Sequence, residues 1–210
     1  MKDKKFDGII FDVDGTLWDV RDEIAMASSK EAHRQGYTDI EFTLEKVTPV
    51  FGMTLNEAAD VLMPHIPPEI RYRLMEDCGS HQVEYVAEQI DDKAFEGMRG
   101  TLETLSKKYP LFIVSNCAAG YIDIFMRRCG VSEFITDWEE LGRTGASKGE
   151  NIKDVVHRNH LTSPVYIGDT AGDQKAATEA GVDFIFAKYG FGTIDDCKYT
   201  ISDIRELQNL

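Results

Sequence analysis

Phe6-Asp7-Gly8-Ile9-Ile10-Phe11-Asp12-Val13-Asp14-Gly15-Thr16 is the stretch from which the fold can be read. Ile9, Ile10 and Phe11 form an unbroken apolar run, the pattern of a parallel strand covered on both faces. Two acids and a glycine follow at once, so the run ends in a turn. Further runs stand at 111–114, 165–167 and 184–187, with a weaker one at 134–136. Helical periodicity fills the gaps, over 101–109, 121–129, 148–160 and 171–180. Strand and helix alternate, which predicts βαβ units: an α/β, Rossmann-like parallel sheet with helices on both faces.

The first strand stands apart from this series. Residues 22–92 hold no convincing strand and read as several helices, broken at Gly36, near Gly52 and across 64–68. The expectation is a core made of 1–17 and 95–210, with an inserted all-α cap over 18–94 that returns through Glu96-Gly97. Ligands of open parallel sheets bind beyond the carboxyl ends of the strands, so the residues after each run are the candidates for chemistry.

Asp12 and Asp14 lie two apart at the first strand end, and alternation allows both to face one site. Neighbouring carboxylates repel unless a cation lies between them, and oxygen-only ligation suits Mg²⁺. A strand-end turn with an Asp cap would account for the same residues. Ser115 and Asn116 close the second run and offer donors to a phosphate oxygen, or serve as an ordinary polar turn. Lys148 sits near a helix start, where the dipole disfavours a cation; a phosphate would explain it, and so would a solvated surface. Asp169 and Asp173 follow the run at 165–167 as metal ligands or as a helix cap with dipole-favoured acids.

The 210 residues carry 37 acidic and 23 basic side chains, a net charge of −14 that disfavours a nucleic-acid partner. No apolar stretch approaches membrane-spanning length, and the start of the chain lacks the apolar run of a secretory leader. Cys78, Cys117, Cys129 and Cys197 form no CxxC pair and fit free thiols in a reducing, cytoplasmic setting. His33, His65, His81, His157 and His160 show no metal-ligand spacing across the motifs.

Asp12-Val13-Asp14-Gly15-Thr16, Ser115, Lys148 and Gly168-Asp169 with Asp173 together resemble the four motifs of the haloacid dehalogenase superfamily, over nearly the whole chain. The insert resembles the small helical cap of phosphoglycolate phosphatase-like members. Val20 stands where many relatives have serine, and Lys148 is followed by Gly-Glu-Asn instead of Pro-x-Pro. The resemblance implies a central first strand and a phosphatase for a small phosphorylated metabolite. It also implies Asp12 as nucleophile, Asp14 as acid and base, and Ser115, Asn116 and Lys148 on the phosphoryl group. Mg²⁺ would be held by Asp12, the Asp14 carbonyl and Asp169, with Asp173 as ligand or partner of a ligand. A phosphomutase would use the same aspartates and metal. A dehalogenase would need no second aspartate, and a non-catalytic phospho-ligand sensor would need none of the catalytic groups. Phe51, Met53 and Thr54 are the cap residues expected to select substrate, with Trp18 near the hinge.

Overall fold

The computed structural model describes residues 6–210. Six parallel strands, β1 (Gly8–Phe11), β2 (Leu111–Ser115), β3 (Ile135–Glu140), β4 (Pro164–Gly168), β5 (Asp183–Ala187) and β6 (Thr200–Ile201), lie in the order β3-β2-β1-β4-β5-β6. The first strand is central because its whole run is buried and can be covered from both sides. Strand order reverses between β1 and β4, and that is where a crevice opens at the carboxyl ends.

Alternation along the strands divides the core. Ile10, Phe112, Val114 and Tyr166 pack with Ile152 and Val155 of one helix (Lys148–Arg158) and with Ala176 and Ala177 of another (Ala171–Ala180). Ile9, Phe11 and Ile113, equally buried, point to the opposite face. Each such side chain, removed from water, contributes roughly 1.5–3 kcal/mol.

The expected strand at 134–136 is longer, Ile135–Glu140, and its middle is only half-buried. It is an edge strand, so polar Asp137 and Glu139 are tolerated and paired with Arg158 and Arg143, and the apolar signal is diluted. The helix expected over 101–109 runs Met98–Ser106 and begins after Gly97, whose φ of 81° suits glycine. Two-residue β6 and the 3-10 helix at Ile204–Asn209 are too short to leave an apolar run or a helical period in the sequence.

The chain divides into two compact units, 1–19 with 92–210, and 20–91. Trp18, Asp19 and residues 92–94 thus belong to the sheet unit: fully buried Trp18 pairs with Ala94. The second unit is all-helical. We number the helices in chain order: α1 (Arg21–Arg34), α2 (Leu44–Val47), α3 (Leu55–Leu62) and α4 (Pro68–Glu88). In the sheet unit follow α5 (Met98–Ser106), α6 (Tyr121–Cys129), α7 (Leu141–Thr144), α8 (Lys148–Arg158) and α9 (Ala171–Ala180). In α1, Ala25 and Ala32, one heptad apart, share an apolar core with Phe42, Met63, Leu74 and Cys78. Proline occupies the first turn of α4, where its missing N–H has no intrahelical partner to lose.

Candidate active site

Asp12 is the first residue beyond β1, and its backbone N–H donates to the Ile167 carbonyl of β4 at 2.8 Å. This bond extends the ladder by one step and sets Asp12 in the crevice. Gly15 then turns the chain with φ 81°, and Trp18 returns to bridge Asp14. The turn is tight against β4's end: a Cβ at Gly15 would fall 2.2 Å from Asp169 Oδ2. Asp14 Oδ1 accepts from Trp18 Nε1 at 3.0 Å and from the Tyr121 hydroxyl at 2.8 Å.

Lys148 opens α8, behind a capping box in which the Ser147 hydroxyl accepts from Glu150 N. Its ammonium is buried and donates to Asp12 Oδ1 at 3.1 Å and to Asp173 Oδ1 at 2.7 Å. These two carboxylates offset the unfavourable dipole at the helix start. Asp173 performs two tasks. Its Oδ2 accepts from Asp169 N, Thr170 N and the Thr170 hydroxyl at 3.2, 3.0 and 2.7 Å, closing the capping box of α9. Its Oδ1 takes Lys148 and, at 3.5 Å, the Tyr166 hydroxyl.

Asp169 is fully buried, and its Oδ2 accepts from the Phe191 N–H at 2.7 Å. A Cβ at Gly190 would lie 2.3 Å from Asp169 Cβ, and one at Gly192 would lie 2.4 Å from its carbonyl oxygen. Ser115 closes β2 at the same end of the sheet, buried and hydrogen-bonded with Cys117, and half-buried Asn116 follows. Burial holds the Cys117 thiol well above its ordinary pKa, and Glu140, Asp14 and Asp12 add to that, so it is no nucleophile.

Among the described residues, oxygens of Asp12, Asp169 and Asp173 lie within 4.8 Å of one another. Burial raises Asp12 above the usual carboxylate range, and Lys148 pulls it back in part. Burial and then the charge of Asp12 push Asp14 up to about 7. Burial, followed by Asp173 and Asp12, pushes Asp169 up to about 8. One ammonium therefore faces more carboxylate charge than it can balance. An all-oxygen, buried, charge-deficient cluster fits a hard divalent cation.

Trp18, Tyr121, Tyr166 and Phe191 also take part in this geometry, through contacts that the four motifs do not signal. Tyr121 and Tyr166 carry no signal, because each reads as part of an apolar element. Gly190-Phe191-Gly192 did carry one: a Gly-x-Gly just beyond the run at 184–187, at a strand end.

Residues 9–187 match the family model of the haloacid dehalogenase-like hydrolases. A phosphoglycolate phosphatase of Aliivibrio fischeri is 25% identical over 199 residues, covering 87% of this chain and 84% of that protein. A haloacid dehalogenase-like family hydrolase of Streptococcus pneumoniae superposes with a TM-score of 0.83 at 20% identity, covering 96% of each chain. A predicted phosphoglycolate phosphatase of Haemophilus somnus gives 0.79 at 17% identity, over 98% of this chain and 97% of the other. The two structural likenesses speak for the fold.

Proposed function

The chain belongs to the haloacid dehalogenase-like hydrolases, and on that footing we propose a magnesium-dependent phosphatase that hydrolyses a small phosphomonoester through an aspartyl phosphate on Asp12. The observation that carries the reading is the meeting of Asp12, Lys148 and Asp169 at the neighbouring ends of β1, α8 and β4.

Asp12 attacks phosphorus, the ester P–O bond breaks, and the departing alkoxide takes its proton from Asp14. Asp14, now a carboxylate, removes a proton from water. That water attacks the same phosphorus, the bond to Asp12 breaks, and inorganic phosphate leaves. A pKa near the working pH suits a group that must give a proton and then take one, and burial raises Asp14 in that direction. Lys148, Ser115 and Asn116 hold the phosphoryl oxygens. Asp12, Asp169 and the Asp14 carbonyl would hold Mg²⁺, which supplies positive charge against the transferring group. Both Asp173 oxygens already accept from other groups, so its part is to anchor Lys148 and the α9 N-terminus.

The relative named a phosphoglycolate phosphatase makes 2-phosphoglycolate the first substrate to test. A panel of phosphomonoesters, scored by phosphate release with Mg²⁺ and with excess chelator, tests the reading. Turnover should vanish on chelation, and a hydroxylamine-sensitive phosphoenzyme should form in the native chain but not in Asp12→Asn. Full turnover in chelator, or phosphate stable to hydroxylamine, overturns it.

A further inference from the structure

Both donors that hold Asp14 reach the same oxygen, Oδ1: the Trp18 indole at 3.0 Å and the Tyr121 hydroxyl at 2.8 Å. A carboxyl oxygen has two lone-pair directions, and an indole N–H can only donate. With the Tyr121 hydroxyl donating as well, both directions of Oδ1 are taken, which leaves Oδ2 as the oxygen that neither side chain engages. We propose that Trp18 and Tyr121 are positioning residues that fix Asp14 so that Oδ2 delivers the proton to the leaving group. This rests on the reading of Asp14 as the general acid.

The arrangement is fixed from several sides. Trp18 is fully buried and meets the rings of Tyr121 and Phe125 edge-on, with centroids 5.5 and 5.1 Å away. It returns to Asp14 through the Gly15 turn, where Gly15 N donates to the Trp18 carbonyl at 3.0 Å. Tyr121 is the first residue of α6. The start of that helix is tied by buried Glu140 at the end of β3, whose carboxylate accepts from Gly120 N at 2.6 Å and from Ile122 N at 3.4 Å. Gly142 N binds the Cys117 carbonyl at 3.0 Å, and a Cβ at Gly142 would come within 2.1 Å of Ala119 N. The loop between Ser115 and Tyr121 is thus clamped by the end of β3 and the start of α7, and the tyrosine hydroxyl has little freedom to leave Asp14.

Proton donation matters more as the leaving group becomes a stronger base, so the test is a leaving-group series. kcat/KM is measured for p-nitrophenyl phosphate, phenyl phosphate and 2-phosphoglycolate, in the native chain, Tyr121→Phe, Trp18→Phe and Asp14→Asn. Tyr121→Phe should lower kcat/KM about tenfold for the alkyl ester and within about twofold for the nitrophenyl ester, a fraction of what a general acid supplies. Trp18→Phe should steepen the series in the same direction. If that variant does not fold, as judged by circular dichroism, Tyr121→Phe, which deletes one oxygen atom, carries the test alone. Equal loss across the series in Tyr121→Phe, with a steepened series in Asp14→Asn, overturns the positioning role and leaves the general acid standing. A flat loss in Asp14→Asn overturns both.

Discussion

Lys148 donates to Asp12 and to Asp173 at once, so the one ammonium serves the proposed nucleophile and the carboxylate behind it. Lys148→Met leaves two buried carboxylates facing each other. The expected loss is about 3–5 kcal/mol of stability, as for breaking a buried ion pair, and about 10³-fold in kcat, as for losing a phosphoryl-stabilising group. Urea unfolding and steady-state kinetics check the two separately. The raised acids make a second prediction. Asp14 and Asp169, at about 7 and 8 when folded, lie near 3.9 when unfolded. The folded chain therefore binds protons that the unfolded chain does not, and metal-free stability rises as pH falls from above 8 towards about 4. On the proposed role, Mg²⁺ would take the place of those protons, and it should then raise Tm more at pH 8 than at pH 6. Glu31 works in the opposite sense. The hydrogen bond from Arg34 outweighs burial and holds it at about 2, so its contribution is complete above about 4.3 and is lost as pH falls towards 2. Melts across pH, with chelator and with Mg²⁺, would show a metal-free Tm flat between pH 6 and 8 if this account of the cluster is wrong. Asp12, Asp14, Ser115 and Asp169 could be picked out in the sequence because each closes or follows an apolar run where a strand must end, and Lys148 because it is a cation at a helix start, where the dipole disfavours one. Glu140 and Tyr121 could not, because their partners lie far along the chain and neither stands in a motif.

Short elements set these positions. Gly15 has φ 81°, and its missing Cβ leaves room for the Asp169 carboxylate. Gly15→Ala should fold, yet displace Asp169 or the turn by about an ångström and lower kcat/KM about 100-fold. Unchanged activity with intact circular dichroism would contradict the close approach. Thr170→Ala removes the hydroxyl half of the α9 capping box and one donor to Asp173. A loss of about 1 kcal/mol follows from the cap alone, and a fall in kcat on top of it would report that Asp173 no longer steadies Lys148. At this scale the sequence displayed β1, β2, β4 and β5 plainly, because strands covered on both faces need unbroken apolar runs. It displayed β3 only in part, because an edge strand can carry Asp137 and Glu139 if Arg158 and Arg143 meet them.

The whole chain separates chemistry from the helical unit. All of the proposed phosphoryl-transfer groups lie in the sheet unit, while among the described residues the large apolar side chains that stay exposed, Met26, Leu44, Met53, Val61, Ile70 and Ile90, lie within 20–91. The proposal that this unit sets substrate preference bears unequally on its three named residues. Thr54 is committed to the capping box of α3 with Glu57, and Phe51 packs on the helical core. Met53 is 38% exposed. Met53→Ala should therefore reorder a substrate panel while leaving the Mg²⁺ response alone, and Thr54→Ala should chiefly cost about 1 kcal/mol of stability; a panel order untouched by Met53→Ala would remove that loop from substrate choice. The chain leaves and re-enters the sheet unit along one antiparallel ribbon, with Trp18 bridged to Ala94, Asp19 N on the Lys93 carbonyl at 2.9 Å and Phe95 N on the Leu17 carbonyl at 3.1 Å. Two adjacent, hydrogen-bonded strands running in opposite directions are the stem of a hairpin. With Asp19 paired to Lys93, a short turn could close that stem in place of everything from Val20 to Asp92, so a different insert could be carried there without re-registering a single strand of the sheet.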